Sequence, residues 1–480
     1  MTSNKLKLLS LSKIFSISIS SNQYAQLKSS NNRADYIIVT HSQFDTTLQR
    51  FVEWREQKNL NIEVAETNQI YSEFPDSTKP ASIRDFISYA LTYWNNPKPK
   101  YMLLVGGAEF IPSYKVPSMF SGDLELHEDS VSIDEWYAVN LYQTDTKPDV
   151  EIGRFPVDNE QELNNIISKT IFFEDSLSFE DYPSDFLFLT DKTDSSLFQN
   201  RANEFISTDL PSNFSMKKIF ASSDSTIKET STNFIDAINK GTLFLSYYGH
   251  GAPDKWSIYN IFTFGDVDSL KANNLPFIYT SAACDQSFDP LNDSSIAKGF
   301  IIYPGSGTVA SVNSTGLNEL FQGSNFLSKF YSYFLSKPGI TIGDAVLQTK
   351  LDLEGGNDGI DDIPRRYTLL GDPALTLPLN TVTQIVNMLK DIPNSYSIQQ
   401  NYPNPFNPST TISYSIPKAG YVTIKVYDIL GKEISTLVNE EKSIGSYEVR
   451  FNGANLSSGV YFYRMKAGGF IEVKKLMLMK

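Results

Sequence analysis

This chain is poor in the side chains that do covalent and acid–base chemistry near neutral pH. It has one cysteine, Cys284, in 480 residues. That excludes an intrachain disulfide framework and makes reactivity the better reason for the residue. It has three histidines, His41, His127 and His250, so few imidazoles compete for the role of general base. No run of about eighteen apolar residues occurs, so no membrane-spanning helix is expected. Cations are the minority: Lys+Arg 41 against Asp+Glu 55 leaves a formal charge of -14. Such a surface repels phosphate backbones and anionic lipid, which makes nucleic acid and membrane surfaces poor candidates as partners.

What is present is length and alternation. A chain of 480 residues with 41% hydrophobic and 13% aromatic residues exceeds one core, so two or three domains are expected. Residues 1–33 are polar, with Lys5 and Lys7 ahead of LLSLSKIFSISIS, and fit a secretory leader or a poorly ordered segment. Residues 34–150 alternate strands (YIIVT, IEVAE, YMLLV) with amphipathic helices, one carrying Ile83, Phe86, Ile87 and Ala90 on one face. Ser42 is placed to cap the first helix. Strand–helix–strand repetition points to a parallel sheet covered on both faces. The acid-rich stretch from Glu109 to Asp149 reads first as a solvated surface loop, with a calcium site as the sharper alternative. A second α/β unit spans 151–380 and contains another acidic tract, Glu354 to Asp362. After a connector at 381–395, period-two alternation over 396–480 predicts an antiparallel β-sandwich without His or Cys.

The chemistry concentrates between Gly241 and Asp289. The apolar run LFLSYY ends at His250 between two glycines, and PFIYTSA ends at Cys284. Open α/β sheets bind ligands beyond the carboxyl ends of their strands. Neighbouring strands ending in His and Cys would put a base beside a thiolate nucleophile. His41 reads as a capping or packing residue, and His127 as solvated.

The combination of YYGHGAPDKWS, PFIYTSAACDQSFD and GDPAL with the earlier YIIVT, LLVGGAEFIP and GRFPV resembles the gingipain family of cysteine peptidases, peptidase family C25. The likeness covers about Ala34 to Leu379. NYPNPFNPSTTISYSIP through GVYFYRMKAGGF and KKLMLMK is similar to the type A C-terminal sorting domain of the type IX secretion system. These resemblances imply a caspase-like catalytic domain of two α/β subdomains, with Cys284 as nucleophile and His250 as base. They imply an oxyanion hole formed by the N–H groups of Gly251 and Cys284, consistent with the close backbone approach glycine allows. An acid orienting the histidine is implied in the turn after FLFLT; Asp191 and Asp194 both stand there, with Asp194 preferred. Trp256 and Asn313 are candidates for substrate contact, Trp256 being equally suited to a core. The segment SSLFQ lacks the acid that arginine-cleaving members carry in their specificity pocket. The family's long prodomain and immunoglobulin-like domain have no counterpart here, which implies a different activation route or a chain start further upstream. The implied function is a secreted endopeptidase acting on proteins or peptides and exported by the type IX machinery. It needs no catalytic cofactor, and the likeness implies structural calcium. A sortase-like transpeptidase and an inactive surface-binding protein are the alternatives.

Overall fold

The computed structural model describes residues 26–117, 130–144, 147–211, 214–221, 226–287, 294–353, 363–378, 395–417, 420–442 and 445–480. His127, the tract at 354–362 and the connector, apart from Ser395, lie outside the described residues.

Ten short strands form one sheet. They are β1 (Tyr36–Thr40), β2 (Ile62–Glu66), β3 (Tyr101–Val105), β4 (Glu151–Phe155), β5 (Phe186–Thr190), β6 (Met216–Phe220), β7 (Phe244–Tyr248), β8 (Phe277–Ala282), β9 (Thr308–Ser314) and β10 (Tyr367–Gly371). Their order is β2-β1-β3-β4-β10-β9-β8-β7-β5-β6. Pairing is parallel inside each group of five, and the two groups meet antiparallel where β10 adjoins β9. The two halves therefore point their carboxyl ends at opposite rims.

The strands read as unbroken apolar runs because both faces are covered. In the first half, Tyr36, Ile38 and Leu103 pack with α1 (Asp45–Gln57) and α3 (Glu160–Ser176), while Ile37, Val39 and Leu104 meet Ile83, Phe86, Ile87 and Ala90 of α2 (Lys79–Tyr93). In the second half, Phe186, Phe244 and Ile278 pack under α4 (Ser195–Thr208), α7 (Leu320–Phe334) and α8 (Ile342–Leu353). Leu187, Leu245 and Tyr279 pack under α5 (Ile227–Lys240) and α6 (Ile296–Ile302). Each large side chain so buried contributes on the order of 1.5–3 kcal/mol.

Four local expectations change. Residues 26–33 are anchored rather than loose: most are exposed, but Leu27 is fully buried, and its carbonyl accepts from Trp94 Nε1 at 3.0 Å. Ser42 does not cap α1; His41 Nδ1 accepts from Gln43 N–H at 3.2 Å, capping a 3-10 turn that leads into the helix. Asp134 and Glu135, expected in a solvated loop, are buried in ion pairs with Arg154 and Lys350. Arg154 holds Asp134 through Nε at 2.6 Å and Nη2 at 2.7 Å, so the arginine of GRFPV acts in the frame. The boundary drawn at 150/151 separates β4 from β3, yet the two pair along their whole length. Apolar runs reveal strands but carry no address for a partner.

The tail forms two antiparallel sheets. β11 (Ser397–Ile398), β12 (Ser409–Ile416) and β15 (Gly445–Asn452) make one; β14 (Glu433–Lys442), β13 (Gly420–Tyr427), β16 (Gly459–Ala467) and β17 (Phe470–Leu478) make the other. Alternate residues of both, including Ile412, Phe451, Ile424, Met465 and Leu476, share one core.

Candidate active site

The site is set by the pairing of β7 with β8. Tyr248 lies opposite Ala282, the last rung of a parallel ladder. His250 and Cys284 each follow two residues later, on strands about 4.8 Å apart. They share one rim. The loops also meet directly: a Cβ on Gly251 would lie 2.6 Å from the Cys284 carbonyl oxygen and closer still to Gln286 Nε2. Gln286 staples them, donating from Nε2 to the carbonyls of Ala252 and Cys284 at 2.9 Å each and accepting from the Tyr279 hydroxyl at 2.9 Å.

The histidine is held by its main chain. Its carbonyl accepts from Tyr247 Oη at 2.7 Å and Ser257 N–H at 2.8 Å. Its N–H donates to Asp191 Oδ2 at 3.1 Å. A Cβ on Gly249 would sit 2.6 Å from Asp191 Cβ, so glycine there permits the grip. The imidazole itself is half exposed, with its Nε2 3.7 Å from Asp194 Oδ2 and its ring edge-on to Phe198 at 5.3 Å. The two aspartates thus separate: Asp191 is buried and holds backbone, whereas Asp194, at φ +48°, faces the imidazole.

Cys284 is partly exposed. The chain turns sharply after it, with Asp285 at φ +47°. Its sulfur lies 3.2 Å from the Asn318 nitrogen, which donates to it, and 3.4 Å from the Asn318 carbonyl oxygen. Asn318 follows β9, so three successive strands of the second half supply the site.

Two candidates for substrate contact are not available. Trp256 is fully buried, stacked on Tyr247 at 4.7 Å and packed with Phe234, Phe262 and Tyr279. Asn313 is also fully buried, its Oδ1 accepting from Ser281 Oγ at 2.8 Å. Gln286, Asn318 and Tyr367 were missed, because an isolated Gln, Asn or Tyr in a loop or strand has no spacing signature. Among the described residues no group of three or more His, Cys, Asp or Glu could hold a metal ion.

The Gly251 contacts predict a large effect from one methyl group. Gly251→Ala must push the histidine loop off the cysteine loop, and displacement of about an ångström can cost about 100-fold in turnover. Catalytic efficiency should fall by that order while the melting transition stays cooperative; an unaffected rate would show that the loop packing is irrelevant.

A thiol and an imidazole thus follow adjacent strands at one rim of a covered, mostly parallel sheet in an α/β frame. Residues 29–378 match Peptidase family C25, and the chain belongs to that family. Residues 400–479 match the secretion system C-terminal sorting domain, which makes this a secreted or cell-surface protein. Among the described residues no helix is long and apolar enough to cross a membrane. The chain is 25% identical to gingipain R2 of Porphyromonas gingivalis over 257 residues, 52% of this chain and 32% of that protein. It is 24% identical to gingipain R1 of the same organism over 52% of this chain and 24% of that one. It therefore spans less than a third of the length of these relatives. The crystal structure of the Arg-specific cysteine proteinase gingipain R shares the fold, with a TM-score of 0.58 at 18% identity over 94% of this chain and 99% of the other.

Proposed function

We propose that this chain is a secreted cysteine endopeptidase in which Cys284 is the nucleophile and His250 the base. The observation that supports the reading is the Tyr248–Ala282 rung, beyond which His250 and Cys284 each follow by two residues. His250 takes the thiol proton, and the sulfur attacks the scissile carbonyl carbon. The N–H groups of Gly251 and Cys284 serve the oxyanion, a contribution of about 2.7–4 kcal/mol for one donor. Collapse breaks the C–N bond, with the proton passing from His250 to the leaving amine. Water, giving a proton to His250, then attacks the thioester; the C–S bond breaks, the sulfur takes that proton back from His250, and the acid product loses its own proton to solvent as a carboxylate. Asp194, at ion-pair rather than hydrogen-bond distance, steadies the imidazolium, while Asp191 holds the loop.

Substrates are proteins or peptides, and the sorting-domain match supports the type IX secretion machinery as the export partner. Cleavage after arginine is not part of the proposal, because SSLFQ has no acid to receive that side chain. Mass spectrometry of a digested peptide library, run with and without an added amine, tests the reaction. Free carboxylates at the new ends are expected, and none with Cys284→Ala. Incorporation of the amine would establish a transpeptidase, and a folded protein with no products and no thiol labelling a binding protein.

A further inference from the structure

Because β10 runs against β9, its first residue lies at the rim where β7, β8 and β9 end, and Tyr367 pairs with Ser314. Between Tyr367 and Cys284 runs the loop at 315–319, gripped from both sides. On the cysteine side, Asp285 N–H donates to the Gly316 carbonyl at 3.0 Å, and Gln286 N–H to that of Ser314 at 2.9 Å. On the β10 side, Thr315 N–H donates to the Arg366 carbonyl at 3.0 Å and Arg366 Nη1 to that of Leu317 at 3.1 Å. Asn318 Nδ2 donates to the Tyr367 hydroxyl at 2.8 Å. Tyr367 is itself immobile: fully buried, stacked on Phe326 at 3.9 Å, its hydroxyl donating to the Ser281 carbonyl at 2.9 Å. In the middle of this clamp the Asn318 N–H meets the sulfur.

We propose that Asn318 and Tyr367 are positioning residues that hold a main-chain N–H against Cys284 and so favour its thiolate. The proposal rests on reading Cys284 as the nucleophile. A donor aimed at the charged form stabilises it, and a bond to an anion is stronger than one to a neutral thiol. The Asn318 carbonyl works the other way, since it accepts from S–H only, but it is the farther of the two at 3.4 Å. When the proton leaves, the carbonyl loses its donor and the N–H contact strengthens. Burial raises the Tyr367 phenol above its ordinary range, so the anchor stays a neutral hydroxyl. Among the described residues, the titratable and charged groups around the thiol and its loop include His250 beyond β7, Tyr247 on β7, Tyr367 on β10, Asp285 next in the chain, Glu319 next to Asn318 and the Arg366 guanidinium on the Leu317 carbonyl. Asn318→Ala removes none of these groups, and among them it takes a hydrogen bond only from the Tyr367 hydroxyl.

The single cysteine makes the measurement site-specific. Iodoacetamide alkylation of the full chain is followed from about pH 5 to pH 10 for the unmodified protein, Asn318→Ala and Tyr367→Phe. Tyr367→Phe keeps the ring on Phe326 and removes only the hydroxyl. The midpoint should rise by about one pH unit in Asn318→Ala, a tenfold loss of thiolate below it, and by less in Tyr367→Phe, with the high-pH plateau unchanged. A purely structural role would lower the melting temperature without moving the midpoint, and that result, or a downward shift in either folded variant, overturns the proposal. Should Asn318→Ala fail to fold, Tyr367→Phe decides alone. Peptide turnover with an unmoved midpoint sinks this inference only; a moved midpoint without turnover sinks only the peptidase reading.

Discussion

Cys284→Ala should leave a folded protein whose peptide hydrolysis is reduced by about 10⁴-fold or more, the scale of losing a nucleophile. The residue is partly exposed in a loop and its side chain is small, so its truncation leaves no large cavity. Stability should change by less than about 1 kcal/mol, whereas alkylation should vanish because no second thiol exists. His250→Ala should lose a similar factor in hydrolysis but keep the alkylation site, with the thiol reacting more slowly near neutral pH. Steady-state rates on one cleaved peptide, with circular dichroism of each variant, check the pair. Retained turnover in a folded Cys284→Ala protein would end the proposed chemistry.

The second large effect is on stability and comes from GDPAL, one of the segments that carry the family resemblance. Asp372 of GDPAL is fully buried just after β10, in the first half of the sheet. It accepts from the Tyr36 hydroxyl at 2.7 Å, from Arg55 Nε at 2.7 Å and from Ala374 N–H at 2.9 Å. Arg55 is buried too and is shared with Glu174, at 2.9 Å from Nη2. Burial works against the guanidinium charge, but Asp372 and Glu174 together hold its pKa above the ordinary value. Asp372→Ala leaves a phenol, a guanidinium N–H and an amide N–H without their acceptor. Breaking a buried ionic network from one side costs about 3–5 kcal/mol. Urea unfolding should show that loss, against under about 1 kcal/mol for Glu204→Ala, which breaks the exposed Arg201–Glu204 pair. Equal small losses would show that the network does not hold the frame.

Some of the site was legible because its residues are scarce or spaced by rule. A lone cysteine and a glycine-flanked histidine, each closing a strand-like run, need only adjacent strands to meet. Other parts had no such signature. Trp256 follows the histidine closely, yet the hairpin turns it into the core against Tyr247. Asp191 and Asp194 stand three apart in one turn, and only backbone direction decides that the first grips a main chain while the second faces an imidazole. Asn318 reaches the thiol by a backbone nitrogen, which any residue possesses.

Sequence by itself determined the α/β class and the sorting tail and singled out Cys284 and His250 as candidates, because strand periodicity and residue type are local properties. The tertiary structure alone decided that two five-stranded halves meet antiparallel, and that β10 returns to the rim of the second half carrying Tyr367. Pairing partners and strand directions are set by non-local burial, and no window of sequence contains both members of such a contact.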